Sequence, residues 1–349
     1  MTDFIFNIGA AAIDLQLFAT QTTLLSDLSP EMKTFYDMTL IDEASAQLVH
    51  DQFGQKRPIP KNGGKTIEFR KFAPLAKALT PLTEGVAPAG KDLKVSTITA
   101  TVQQFGDYIK QSDVLELTAL DNTILEATKL LGRQAGVTLD TIVRDIICAG
   151  TNVSYCPKVS GSTETAVTSR ANLDLTAQLT VKQIQKTVAK LRAANAPTID
   201  GSYIGIIHPY VAYDLMRDEE WKDWHKYTTP ENMYEGEIGA IAGVRFVQTT
   251  EAKVLRDSTC PAQSGATPAY YGVFCTLIFG DGAYGVTEIT GGGLETIVKQ
   301  KGSAGTADPL DQVSSVGWKA MKTAELLIPQ YLVRVESCSK EYSANVEAN

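Results

Sequence analysis

The stretch from Thr123 to Ala149, TILEATKLLGRQAGVTLDTIVRDIICA, limits what this chain can become more than any other. Its apolar residues Ile124, Ala127, Leu131, Ala135, Leu139, Ile142 and Ile146 recur at spacings of three and four, which lays them along one face of an unbroken helix. Thr123 and Glu126 make a capping-box pair at its start, and Gly150 stands where a left-handed residue ends a helix. At about 1.5 Å per residue the helix is roughly 40 Å long, more than a small core requires. It reads as a strut. Gly132 and Gly136, one turn apart, each weaken it by up to about 1 kcal/mol relative to alanine, so they imply close packing against another backbone or a gentle bend.

Upstream the period changes from helix to strand. KTIEFRKF places Ile67 and Phe69 on one side and Glu68 and Arg70 on the other. KVSTITATVQQFGDYIK places Val95, Thr97, Thr99 and Thr101 on one face and Ile98, Ala100 and Val102 on the opposite one. The connecting PLAKALTPLTEGVAPAGKDL is too rich in proline for a central strand and too apolar for a solvated loop. The result is a long two-stranded hairpin with a wide tip. Such a hairpin is marginal alone in water and needs another surface to lie on, and that surface can belong to a second copy.

Residues 1 to about 30 lack a firm period and read as an arm ordered only by contact with something else; Ser29-Pro30-Glu31 then opens a helix. After the strut, residues from Tyr155 to Thr180 are loop-like, and Thr180 with Gln183 caps an amphipathic helix carrying Val181, Ile184, Val188 and Leu191. Tyr203 to Ile207, Val244 to Val247, Tyr270 to Phe279 and Gly285 to Ile289 read as strands, and Pro209 to Arg217 as a helix, so residues 181 to about 300 form one α/β lobe. Trp318 to Glu325 and Gln330 to Glu336 come next as a returning strand pair, with a polar tail after Ser337.

A chain of 349 residues with 44% hydrophobic and 21% charged content is globular, with room for two or three lobes. The net charge of -8 argues against nucleic acid as the main partner. Basic residues gather at Lys56, Arg57, Lys61, Lys65, Arg70, Lys71 and Lys77; acidic ones crowd the span from Asp214 to Glu237. These are either complementary faces of neighbouring subunits or two solvated faces. The N-terminus is a poor secretory signal, having no basic residue before Lys33, and no window approaches the ~20 apolar residues of a membrane span. Five cysteines, Cys148, Cys156, Cys260, Cys275 and Cys338, form no C-x-x-C pair, so neither a metal site nor a disulfide framework is expected, and a reducing cytoplasm fits.

Motifs for catalysis fail one by one. Gly280-Asp-Gly-Ala-Tyr-Gly285 matches a dinucleotide pattern, but the chain beyond Gly285 continues as strand with no helix N-terminus to hold a pyrophosphate, so a tight turn is expected. His50, His208 and His225 have no metal-binding spacing and are expected in structural hydrogen bonds or in solvent. No nucleophile elbow or phosphate-binding loop exists, so no catalytic, cofactor-binding or metal residue is assigned, and no cofactor. Trp221, Trp224, Tyr227 and Tyr234 form an aromatic cluster that is either an interface hot spot or a satellite core.

Five ordered stretches carry a family resemblance: HDQFGQKRPIPKNGGKTIEFRKF (His50 to Phe72), LEATKLLGRQAG (Leu125 to Gly136), IDGSYIGIIHPYVAYDLM (Ile199 to Met216), YEGEIGAIAGVRFV (Tyr234 to Val247) and DPLDQVSSVGWK (Asp308 to Lys319). Together they resemble major capsid proteins of tailed double-stranded-DNA bacteriophages, most closely the podovirus-like branch with large virion RNA polymerases. The resemblance implies an α+β tailed-phage capsid fold divided into an N-terminal arm (1–60), an E-loop hairpin (61–111), a peripheral domain (112–180) with spine helix 123–149, an inserted axial α/β domain (181–300), and returning peripheral strands and tail (301–349). It implies a structural subunit that self-assembles through hexamers and pentamers into an icosahedral shell in the virion, after synthesis in a bacterial cytoplasm. Scaffolding and portal proteins are the implied partners, with weak, non-specific contact to packaged DNA and none to a membrane. The E-loop tip residues Leu79, Leu82, Glu84, Val86 and Lys91, with Trp221, Trp224 and Tyr227, are the candidate subunit-interface residues. Two alternatives stay open: an encapsulin-type cellular compartment, which needs a cargo site, and a cytosolic α/β enzyme binding a nucleotide at the Gly280 turn.

Overall fold

The computed structural model describes residues 38–44, 47–62, 64–72, 75, 77–79, 81, 84–85, 90–93, 95–118, 123–161, 163–225, 237–263, 269–288, 293–303 and 309–349. The N-terminal arm and the helix start at Ser29-Pro30 lie outside these residues, and the first described helix, α1, is 38–44. The strands in chain order are β1 (Gln55–Lys56), β2 (Thr66–Phe72), β3 (Val95–Thr101), β4 (Gln103–Ser112), β5 (Val153–Tyr155), β6 (Lys158–Ser160), β7 (Thr163–Thr165) and β8 (Tyr203–Ile207). They continue as β9 (Glu237–Ile241), β10 (Val244–Gln248), β11 (Val254–Leu255), β12 (Val273–Phe279), β13 (Tyr284–Glu288), β14 (Glu295–Lys299), β15 (Val313–Leu326) and β16 (Leu332–Ser337). The remaining α-helices are α2 (Asp113–Thr118), α3 (Thr123–Cys148), α4 (Val181–Ala193), α5 (Pro209–Met216) and α6 (Glu219–His225).

The strut is present as α3, 26 residues long. Its middle turns pack Leu131, Ala135 and Leu139 on Val316, Trp318 and Ala320 of β15. Its C-terminal half packs Val143 and Ile147 on Ile204, Ile206, Leu277 and Phe279 of β8 and β12. The first contact belongs to a five-stranded sheet in which β15 lies between β4 on one side and β13 and β14 on the other, with β1 outside β13. The second belongs to a seven-stranded sheet in the order β5-β16-β12-β8-β10-β9, with β11 on β12. One helix therefore bridges two sheets. The far face of the larger sheet is covered by α4, α5 and the Trp221 side chain of α6, so β8 and β12 are buried along their full length and read as continuous apolar runs.

The buried set of α3 differs from the expected stripe near its end: Val143 and Ile147 are fully buried, whereas Ile142 and Ile146 are half-buried. The helix leaves the smaller sheet there and turns its opposite flank to the larger one. Thr123 is not an N-cap; it begins the helix and its hydroxyl donates to Gln111 Oε1 at 3.3 Å. Gly150 is not left-handed either, since the helix closes through Gly150 N–H donating to the Ile147 carbonyl at 3.3 Å. At α4 the expected cap forms on one side only: Thr180 Oγ1 accepts from Gln183 N, while the Gln183 amide turns away to Ser154 and Tyr155.

Two further differences concern the sheets. The C-terminal strands expected as a pair do not touch as neighbours, because β15 runs through the smaller sheet and β16 between β5 and β12 of the larger one. Likewise β13, read with the lobe, joins β15. Strand periodicity reports which face a residue is on and carries no information on which sheet receives it. The polar tail folds onto the larger sheet's unit: Arg256 donates to the Ala344 and Val346 carbonyls, and Asn349 accepts from Val254 N at 2.8 Å.

Gly132 and Gly136 are where α1 crosses. A Cβ on Gly136 would lie 2.5 Å from the Ala44 carbonyl oxygen, and one on Gly132 2.9 Å from that of Leu40, so backbone meets backbone without room for a methyl. Gly136→Ala should gain up to ~1 kcal/mol of helix propensity and lose more to overpacking, for a net destabilisation of about 1–2 kcal/mol. A lower urea midpoint at unchanged slope checks this; an unchanged or higher midpoint contradicts the crossing.

Candidate subunit interface

The hairpin forms as its alternation dictates. β2 and β3 pair antiparallel from Thr66–Thr101 to Phe72–Val95. At its root Phe69 is 3% exposed, seated on Gly285 of β13 and covered by the Arg57 guanidinium 5.7 Å from the ring centroid. Ala100 and Val102 are buried beside it, while Thr97, Thr99 and Thr101 face water. Beyond the root the described hairpin residues are exposed: Leu75 is 61%, Leu79 83% and Leu93 62% exposed. Glu84 and Lys91 are exposed as well, and Leu82 and Val86 lie outside the described residues. Large apolar side chains left in water make this hairpin a candidate interaction surface.

The aromatic cluster divides. Trp221 is 4% exposed and packs edge-on against Phe246, inside the protomer's own core. Trp224 is on α6 with its side chain outside the described residues, as are Tyr227 and Tyr234 altogether. Asp218, counted in the acidic face, turns inward to accept Val181 N at 3.1 Å, and Glu219 and Glu220 are exposed. On the basic side Lys56, Arg57, Lys61, Lys65, Arg70 and Lys77 are all exposed around the hairpin root and arms.

Sequence patterns missed the buried polar centre. His50 N and Nδ1 both meet the Asp140 carboxylate, at 2.7 and 2.6 Å, with both residues fully buried, and Tyr284 donates its hydroxyl to the His50 carbonyl. Arg144, 1% exposed, donates to the Glu251 carbonyl and pairs with Asp145. The one available signal was position: Asp140 and Arg144 extend the Thr128-Gly132-Gly136 row at four-residue spacing, a flank distinct from the apolar stripe. A second centre holds Glu336, fully buried, between Arg170 (2.7 and 2.8 Å) and Arg334 (3.0 Å). All five cysteines are free and buried, and burial pushes the thiols of Cys148 and Cys338 up to about 12, which keeps them protonated and unreactive. Among the described residues no group of three His, Cys, Asp or Glu could hold a metal ion. Gly280 to Gly282 is a tight turn leading into β13, with a left-handed Gly282 and no helix behind it.

A sequence profile described as phage capsid protein matches residues 116–303, more than half of the chain. The chain belongs to the phage capsid protein family. It is a structural subunit of a bacteriophage shell, located in the virion capsid and active as an oligomer. Solved structures agree on the fold. The capsid of Ralstonia phage GP4 is similar with a TM-score of 0.68 at 12% identity over 99% of this chain and 100% of that one. A cyanophage Pam1 capsid chain gives 0.63 at 11% identity over 87% and 93%. The capsid of cyanophage P-SCSP1u gives 0.61 at 16% identity over 84% and 88%. Among curated proteins no sequence match is found.

Of the histidines, His208 offers a titration that can be read in this capsid protein. It caps α5, its Nδ1 accepting from Tyr210 N at 3.2 Å, and burial lowers its pKa from 6.5 to about 4. A folded-state pKa depressed below the unfolded one means stability that is complete above pH 6.5 and is lost as pH falls towards 4. His208→Asn keeps a capping acceptor and removes the titration, so its stability should decline less between those pH values than that of the native chain. Denaturant midpoints at several pH values check this; parallel declines exclude the role.

Proposed function

We propose that this subunit is the major coat protein of a tailed phage and builds an icosahedral shell around double-stranded DNA. In this reading the hairpin 61–111 is an E-loop laid over an adjacent subunit. Helix 123–149 is the spine of a peripheral domain built on the smaller sheet, the larger sheet with α4 and α5 is the core of an axial domain meeting its copies around five- and six-fold axes, and residues 1–60 are an arm. The observation that carries it is the hairpin of a capsid-family chain holding Leu75, Leu79 and Leu93 in water. Full burial of a leucine is worth roughly 1.5–3 kcal/mol, so covering three of them under a neighbour offsets much of the cost of fixing a projecting element. The family match favours a phage shell over a cellular compartment of related architecture.

Hexamers and pentamers are the assembly units, a separate scaffolding protein guides them, and a portal occupies one vertex. The net charge of -8 limits DNA contact to weak, salt-sensitive attraction through lysines. The chain is synthesised in the host cytoplasm and carries no catalytic activity; its work is association.

Light scattering on a size-exclusion column, with negative-stain images of the void fraction, tests this for the chain alone and with its genomic neighbours. Angular megadalton shells, or hexamers and pentamers that close when a scaffold is supplied, are expected. A monomer or dimer under every condition contradicts it. Glu84, exposed at the hairpin tip, supplies a sharper probe: Glu84→Lys should lower shell yield while leaving the thermal midpoint of the unassembled subunit unchanged. Native yield from that variant removes the tip from the interface.

A further inference from the structure

The five-stranded sheet has one face on α3. Its other face carries an open cleft of about 320 Å³ lined by Gly106, Tyr108, Ile297, Lys299, Ser315 and Gly317, with Asp107 and Trp318 also in its lining; the Asp107 carboxylate is engaged by Gln134 of α3, which donates to it at 2.6 Å. The alternation explains the lining: Phe105 and Ile109 of β4 and Val316 and Trp318 of β15 turn to α3, so the residues between them turn away. Two glycines lower the floor. In the antiparallel register Gly317 lies opposite Tyr108, where a Cβ would come 2.7 Å from that of Tyr108; Gly106 lies opposite Lys319, where a Cβ would come 2.5 Å from the Trp318 carbonyl oxygen. Tyr108, 58% exposed, forms one wall and Ile297 the other.

The rim is basic. Lys110 Nζ lies 5.6 Å from the Tyr108 ring centroid, Lys299 is exposed, and Lys319 pairs with Glu295 at 3.0 Å. Among the described residues neither Lys110 nor Lys299 makes an ion pair. An apolar floor with unpaired ammonium groups at its edge fits an extended segment that is aliphatic and acidic. Residues 1–32 have that composition: Asp3, Asp14, Asp27 and Glu31 without a single lysine or arginine, and Phe4, Ile5, Phe6, Ile8, Ile13, Leu15, Leu17 and Phe18 among them. The hairpin tip does not. It carries Lys77, Lys91 and Lys94 against Glu84 and Asp92 and would set like charges together.

We propose that this cleft receives residues 3–18 of a neighbouring copy, with their carboxylates against the Lys110 and Lys299 ammonium groups. The donor in this proposal is a second copy: α1 lies on the α3 side of the sheet, at Gly132 and Gly136, whereas the cleft opens on the opposite side, so the chain's own arm would have to pass around the sheet edge to reach it. The floor supplies the apolar burial, and the rim selects this segment over the hairpin tip. The inference rests on the shell reading, since it needs copies held side by side.

The test uses the full chain, assembled as shells from equal amounts of light and ¹⁵N-labelled subunits, with a photo-cross-linking phenylalanine in place of Ile297. Because Lys33 is the first basic residue, trypsin releases residues 1–33 as one peptide, distinct from the hairpin-tip peptide 78–91. Expected is a cross-link from position 297 to peptide 1–33, joining light to heavy chains as often as like to like. Capture of peptide 78–91, capture only within one isotopic species, or well-formed shells with no cross-link would each overturn the proposal. The double variant Lys110→Glu and Lys299→Glu should lower the yield of the 1–33 product by about fivefold, from two exposed pairs of ~0.5 kcal/mol each; an undiminished yield excludes the charge selection. Absence of shells from the unsubstituted chain counts against the shell reading itself, and this inference falls with it.

Discussion

Everything in this protomer hangs on α3 touching two sheets at once. Leu131, Ala135 and Leu139 serve the smaller sheet, and Val143 and Ile147 serve the larger. The interval between them is held by charge. Asp140 and Arg144 sit at the handover with essentially no solvent exposure, tied to His50 and to the Glu251 carbonyl. Apolar contacts tolerate sliding, whereas a buried carboxylate that loses its partners carries an uncompensated desolvation penalty of several kcal/mol. The polar centre therefore fixes the axial and rotational position of the strut, and with it the placement of one sheet against the other.

The fold was legible where periodicity decides. The length of α3, the β2–β3 hairpin, and the amphipathic α4 are set by spacing, and of the two readings of the glycine pair, close packing or a bend, the structure shows close packing against α1, a partner no local pattern names. Sheet membership was not legible. β13 and β15 share one sheet and β16 enters the other, yet each reads as an alternating or apolar run, because strand pairing is decided between segments as far apart in sequence as Gln103 and Lys322. Thr123 failed as a cap because Gln111, from β4, takes its hydroxyl, and Gly150 because the helix closes on the local Ile147 carbonyl without needing a left-handed residue.

The candidate interface was legible in part. Leu79, Glu84 and Lys91 were singled out from the composition of the hairpin, and the structure leaves all three exposed. Trp221 could not be sorted by sequence, since a Trp suits a hot spot and a core equally, and its place against Phe246 depends on where β10 lies. A shell subunit must satisfy two demands that conflict: a stable core for itself and apolar surface reserved for others. Here they are separated in space, with Phe69 and Val102 closing the hairpin root and the leucines left beyond it.

The position of β16 adds a temporal dimension. It lies between β5 and β12, and β5 pairs with nothing else among the described residues. The larger sheet consequently stays open on that side until residues 332–337 have been made, long after β5, β8 and β12, and the segment that straps Arg256 and Val254 arrives later still. A nascent chain carries its hairpin leucines early and closes its larger sheet late, so the order of strands along the chain sets the order in which apolar surface is made and then covered.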